Sequence, residues 1–335
     1  MRRKGENKLI FDGHGDIWTD VTVKRVNLGE KDIFRKYHIE KFRKGNVSGG
    51  IFVIWLDPPY DKYPEKRSEQ IVQSIKDEFV DAVDILQPVR KFSDFEIGNK
   101  KNKINVVIGM EGMSQIGVDI DKIDYYYHEV GVRHAMLTWN EQNELATGWT
   151  EDAARGLTNA GRKAVKRIQN LGMVLDVSHL NDKSFWDVMK SARGPVIASH
   201  SNVRKICPVM RNLSDEMLKE IAQTGGLVGM NSLREFIHEK KENQDVEHLV
   251  DHIEYLADLI GVEHIGLGFD FDDYLGDEAL SSFSANIESP SGEGISNEAE
   301  AKNVLDILKK RGFQKSELEA IAYKNYYRIF EEVWK

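Results

Sequence analysis

Short apolar runs recur along this chain, each closing on glycine or polar residues before a stretch of helical spacing begins. They cover 9–16, 50–56, 105–112, 134–139, 173–179, 195–200, 226–231 and 264–270. Near-continuous apolar strands of this kind belong to parallel sheets buried on both faces. Residues 68–86 carry Ile71, Val72, Ile75, Phe79, Val80, Val83 and Leu86 at helical spacing. Residues 159–171 do likewise, with Thr158 placed to cap them. Ser214 opens another helix, with Asp215 and Glu216 suited to its dipole, and 246–260 ends at Gly261. Ser316-Glu317-Leu318-Glu319 fits a capping box. Eight strands alternating with helices predict an α/β fold of the (β/α)8 barrel type, one domain over residues 1–335. An open doubly wound sheet is the alternative, but no glycine-rich phosphate loop follows the first strand. Residues 271–297, rich in Ser, Gly, Asp and Glu, are long for a βα loop. They read either as a mobile lid over the barrel mouth or as a solvated insertion.

Composition narrows the function classes. The net charge of -9 and the lack of a basic run argue against nucleic-acid binding. Arg2-Arg3-Lys4 is too short to be more than a solvated tail. No apolar stretch approaches the roughly 20 residues of a bilayer span, and the start is too short for a secretory apolar region. The single cysteine, Cys207, rules out an internal disulfide, so a cytoplasmic location is expected.

The polar residues at the strand ends carry the chemistry. Strand one ends in His14 and Asp16, and residues i and i+2 of an extended chain share a face. Gly13 and Gly15 are expected to leave room for close backbone approach. The third run ends in Glu111, the fifth in His179, the sixth in His200 and the eighth in Asp270. All are metal-ligand or acid–base types, at the end of the strands where barrel enzymes build their sites. This set suits two metal ions, with Glu111 as the bridging carboxylate. Nitrogen and oxygen ligands without thiolate favour zinc, with manganese, cobalt or iron as substitutes. Paired metals lower the pKa of a shared water and polarise a carbonyl, which equips a site to hydrolyse an amide.

At Asp12-Gly13-His14-Gly15-Asp16, Gly109-Met110-Glu111-Gly112, Asp176-Val177-Ser178-His179, Ser199-His200-Ser201 and Gly266-Leu267-Gly268-Phe269-Asp270, the chain resembles the membrane (renal) dipeptidase family of zinc metallopeptidases, including its soluble bacterial members. Gly156-Leu157-Thr158 and Leu171-Gly172-Met173 extend the resemblance over most of the chain. It implies a (β/α)8 barrel, two zinc ions and hydrolysis of dipeptides, including L,D-dipeptides, by a water that bridges the metals. It assigns His14 and Asp16 to one zinc, His179 and His200 to the other, and Glu111 to both. Asp270 takes the place of the acid beside the bridging water, where it shuttles the proton. Arg211 takes the place of the residue that pairs with the substrate's free carboxylate, a role that suits a guanidinium fork. Family members are often dimers, so a homodimer is implied.

One departure falls at the site. Many members carry a histidine after Leu-Thr at the end of strand four, where this chain reads Leu137-Thr138-Trp139. Trp139 is therefore expected either to face the substrate, favouring bulky apolar residues, or to pack in the core. Near the C-terminus, Tyr323-Lys324-Asn325 replaces a family Gly-Gly-Asn, with a structural consequence expected. The alternative function is another dinuclear amidohydrolase acting on lactams, cyclic amides or N-acyl amino acids. A metal-dependent binding protein without catalysis is the reading from a different class.

Overall fold

The computed structural model describes residues 9–334; the basic N-terminal tail lies outside them. Among the described residues nine strands form, in chain order: β1 Ile10–Gly15, β2 Val47–Trp55, β3 Leu86–Pro88, β4 Ile104–Glu111, β5 Val132–Met136, β6 Val174–Asp176, β7 Val196–Ala198, β8 Leu227–Met230 and β9 Ile265–Leu267. Eight of them close a parallel ring, β1-β2-β4-β5-β6-β7-β8-β9, because β2 pairs with both β1 and β4 while β1 pairs with β9. The (β/α)8 barrel expected from the sequence is therefore the fold. The short β3 pairs with Ile104–Val106 at the start of β4, beside the ring.

Period-two alternation divides the core. Ile51, Val53 and Trp55 on β2 join Phe11, Val107, Val174, Ile197 and Leu227 inside the barrel. Phe52 and Ile54 point the other way, into the larger core between strands and helices. The helix Asn325–Val333 closes the barrel interior with Tyr326 and Phe330, and Tyr326 Oη donates to the Ser199 carbonyl at 3.1 Å. Gly13 is required there, since a Cβ would sit 1.8 Å from Tyr326 Oη. Gly15 is not: the nearest atom to its Cβ position is 3.8 Å away, in open van der Waals contact. Asn325, the residue that this chain shares with the family's Gly-Gly-Asn, donates to the carbonyls of Val262 and Ile265.

Helix boundaries shift from the sequence reading in three places. The helix read over 68–86 runs Pro64–Asp81, opened by Pro64 at its first position, and Leu86 belongs to β3. Val83 lies beyond the helix end and Val80 on its solvent side, and both are exposed. The capping residue of the late helix is Gln314, not Ser316, and its N–H donates to Glu317 Oε2 at 2.6 Å. Thr158, Ser214 and the boundaries of Val246–Ile260 stand as read, with Thr158 Oγ1 accepting from Gly161 N. Residues 271–297 mix exposed positions with buried ones such as Leu280 and Ile295. They are tied down by bridges from Ser291 to Leu233 and from Glu293 to Asp245, and Phe271 stacks on Phe269 with centroids 4.8 Å apart.

Candidate metal centre

His14 and Asp16 meet because β1 presents alternate residues to one face, and His14 Nε2 lies 3.6 Å from Asp16 Oδ2. Asp12, one step earlier on the same face, accepts from the Phe269 N–H at 2.9 Å and ties β1 to the end of β9. Glu111 is the last residue of β4 and splits its two oxygens. Oε2 lies 3.2 Å from His14 Nε2, whereas Oε1 lies 2.9 Å from His179 Nε2 and 3.6 Å from His200 Nε2. His179, His200 and Asp270 sit beyond their strands rather than on them, since β6, β7 and β9 end at Asp176, Ala198 and Leu267. The reason is conformational for two of them: His179 has φ 67° and Asp270 φ 60°, values that end a ladder. Left-handed backbone costs a non-glycine residue about 1–3 kcal/mol, so the surrounding structure holds both against strain.

Neighbouring groups aim the histidines. His179 Nδ1 donates to Asn140 Oδ1 at 2.8 Å, and Trp149 Nε1 donates to the same oxygen at 2.5 Å. This leaves His179 Nε2 free to face His200 Nε2, 2.8 Å away. The Ser199 hydroxyl lies 2.8 Å from His200 Nδ1. Asn231 Nδ2 donates to Asp270 Oδ2 at 2.9 Å, while Asp270 Oδ1 lies 3.5 Å from His14 Nε2.

The set fits metal ions on its own geometry. Ligand atoms of His14, Glu111 and His200 lie within 4.8 Å of one another, and so do those of His14, Asp16 and Asp270. Both ring nitrogens of His14 and one oxygen of Asp16 are buried without a hydrogen-bond partner. The charges are poorly matched within the protein. Burial pushes Glu111 up to about 8, against the pull of His14, and raises Asp16 as well. Burial opposes the charged His14 ring, but Glu111, Asp16 and Asp270 outweigh it and raise its pKa well above 6.5. His179 and His200 are driven well below 6.5, first by burial, then by Arg211 and His14. Two divalent cations would offset the carboxylate excess and take the neutral imidazoles as ligands.

Arg211 is buried, not on the surface. Nη1 donates to Ser201 Oγ at 2.7 Å, Nη2 donates to the His200 carbonyl at 2.8 Å, and Nε has no partner among the described residues. Burial lowers its pKa to about 10. Trp139 lies three residues past β5 and is half-buried. Its ring is 5.2 Å from Trp55, 6.4 Å from His179 and 6.4 Å from Phe283 of the 271–297 stretch. Together with Trp149 and Phe236 these aromatics wall a cavity of about 30 Å³ that contains Glu111, Asp16 and Asp270.

Sequence reasoning missed four contributors. Asp272 lines the same cavity, buried, with burial and the neighbouring Asp270 raising its pKa well above 3.8. The i, i+2 rule that joined His14 to Asp16 would have joined it to Asp270. The same rule places Asp12 beside His14, and puts Trp55 on the inner face with Ile51 and Val53. Asn140 leaves no such mark, because its role exists only once two loops converge.

The family model for membrane dipeptidase, peptidase family M19, matches residues 3–335. A protein of the pqqA 5′ region of Klebsiella pneumoniae is 31% identical over 223 residues, covering 62% of this chain and 75% of that one. Dipeptidase aclJ of Aspergillus oryzae is 27% identical over 346 residues, 97% of this chain and 78% of that one. Among solved structures, a metallopeptidase of Rhodobacter sphaeroides, bound to a phosphinate mimic of the dipeptide L-Ala-D-Ala, superposes with TM-score 0.84. It is 22% identical, with 97% of this chain and 99% of that chain covered, a likeness that shows the fold. No helix among the described residues is long and apolar enough to cross a membrane.

Proposed function

The chain belongs to the membrane dipeptidase family, peptidase family M19, whose members are hydrolases of peptide bonds, and on that premise we propose that it is a zinc-dependent dipeptidase with two metal ions per chain. His14 and Asp16 would hold one ion, His179 and His200 the other, and Glu111 would serve both. The observation that carries this reading is the division of Glu111, Oε2 toward His14 and Oε1 toward His179 and His200. Ions held there would supply Lewis-acid chemistry, making a water more acidic at neutral pH and polarising the scissile carbonyl.

The remaining steps belong to the protein's own side chains. Asp270, steadied by Asn231, takes a proton from the attacking water and returns it to the leaving amine as the C–N bond breaks. Arg211 is the cation for the substrate's free carboxylate, its guanidinium oriented by Ser201 and the His200 carbonyl. Trp139 is a wall of the substrate cavity, pressed between Trp55 and Phe283, and favours apolar substrate groups against its face. The 271–297 stretch acts as the cover of that cavity through Phe283.

A zinc-supplemented screen of L,L- and L,D-dipeptides, read by amino-acid release, tests the reading. Free dipeptides are expected to be cleaved and their C-terminally amidated forms to show KM values higher by roughly tenfold or more, since a charged hydrogen bond is lost. Failure to cleave any dipeptide, or equal KM values for free and amidated forms, would count against the dipeptidase reading and the Arg211 role respectively.

A further inference from the structure

A second cavity, of about 130 Å³, shares Glu111, Trp55 and Trp139 with the metal cavity and is walled further by Asp61, Ser114 and Glu141. Ligand pockets for whole small molecules are about 300–1,000 Å³, so this space suits one side chain. Its position against Glu111 means that the side chain belongs to the molecule being cleaved. Besides Glu111, two carboxylates stand in its wall, those of Asp61 and Glu141, and no Lys or Arg among the described residues lines it. Ser114 Oγ donates to Glu141 Oε1 at 3.1 Å and fixes one carboxylate. The Asp61 carboxylate has no ion pair among the described residues. Two indoles supply the rest of the wall, with centroids 5.2 Å apart and planes tilted by 56°. Indole faces attract cations, the more so when water is excluded. Trp55 is 2% exposed, and its Nε1 has no hydrogen-bond partner among the described residues. That donor is available to a substrate carbonyl.

We propose that this cavity is the subsite for a cationic side chain, that of lysine, ornithine or arginine, in one position of the dipeptide; the inference rests on the dipeptidase reading. The aromatic faces on the metal side then border the other, apolar residue. Burial pushes the Glu141 carboxyl up, so an ammonium placed against it gains more than it would at an open surface.

The test compares kcat/KM for Lys-Ala with norleucine-Ala, and for Ala-Lys with Ala-norleucine, because norleucine keeps the alkyl stem and drops the charge. In one of the two pairs the lysine form should be favoured by about tenfold or more, the factor that one charged hydrogen bond supplies. Glu141→Gln should bring that ratio close to one. Asp61→Asn, at an exposed position where folding is not at stake, should reduce it several-fold. Ratios near one in both pairs of the wild-type enzyme, with the norleucine dipeptides cleaved, would overturn the subsite and leave the dipeptidase reading standing. A lysine preference that survives both substitutions would overturn it equally. If neither lysine nor norleucine dipeptides are cleaved, the subsite and the reading beneath it fall together.

Discussion

Two groups of buried charges share this barrel and differ in how they are balanced. Between the helices Ile17–Leu28 and Pro64–Asp81, Arg25 reaches Glu78 and Asp81, each at 2.5 Å. Glu78 also accepts from the Phe34 N–H at 2.7 Å, and Asp20 meets both His38 and Lys24. Each of these carboxylates has a cation against it. Around Glu111 the balance is reversed. Asp16, Glu111, Asp270 and Asp272 line one cavity, and buried atoms of His14, Asp16 and Asp272 lack partners. Taking an ion out of water costs several kcal/mol unless a partner compensates. The first group is compensated from within the chain and serves the fold. The second lacks such compensation from within the chain, and that mismatch, rather than burial of charge as such, marks the candidate site.

The comparison can be broken most sharply at Asp270. Asp270→Asn should keep both metals and lower turnover by about 10²–10⁴-fold, the usual worth of a positioned proton carrier. Turnover near that of the wild type, with metals in place, would remove Asp270 from the proton path. The balanced group should respond in the opposite currency. Glu78→Ala leaves Arg25 without its buried partner and should cost about 3–5 kcal/mol in urea unfolding at fixed metal concentration. Its metal content should equal that of the wild type; a drop would mean that the two groups are not independent.

A smaller effect sharpens the same contrast. Burial pushes the Asp20 carboxyl up, but His38 and Lys24 outweigh it and hold its pKa below 3.8. A depressed folded pKa contributes stability above the unfolded value and loses it as pH falls through the folded one. Asp20→Asn should therefore be less stable than the wild type by about 1.5–3 kcal/mol at pH 7. The gap should hold down to roughly pH 4, near the unfolded carboxyl pKa, and narrow below it. A gap that is constant or widens toward pH 3 in parallel urea titrations would contradict the pairing.

Much of this was legible in the sequence because it follows short-range rules. Apolar runs separated by helical patterns gave the eight strands of the ring, and polar residues after those runs gave His14, Asp16, Glu111, His179, His200 and Asp270. β3 escaped because Leu86-Gln87-Pro88 is three residues long and ends in proline, with no pattern to register. Val83 misled because apolar spacing persists past Asp81, where the helix stops, and Val80, still within the helix, lies on its solvent side. Trp55 looked like any core residue of β2; only closure of the ring sets it beside Glu111 and Trp139. Asn140 and Asn231 orient His179 and Asp270 from separate loops, so their roles depend on convergence over 39 residues in each case.

The central claim is that Glu111 joins two metal ions into one site. Elemental analysis of the protein purified with zinc, beside Glu111→Gln prepared identically, tests it most directly. The wild type should carry about two ions per chain, and the variant, whose neutral amide bridges poorly, should lose occupancy at both positions. A wild type that binds no metal, or a Glu111→Gln variant that retains both ions, would contradict the account.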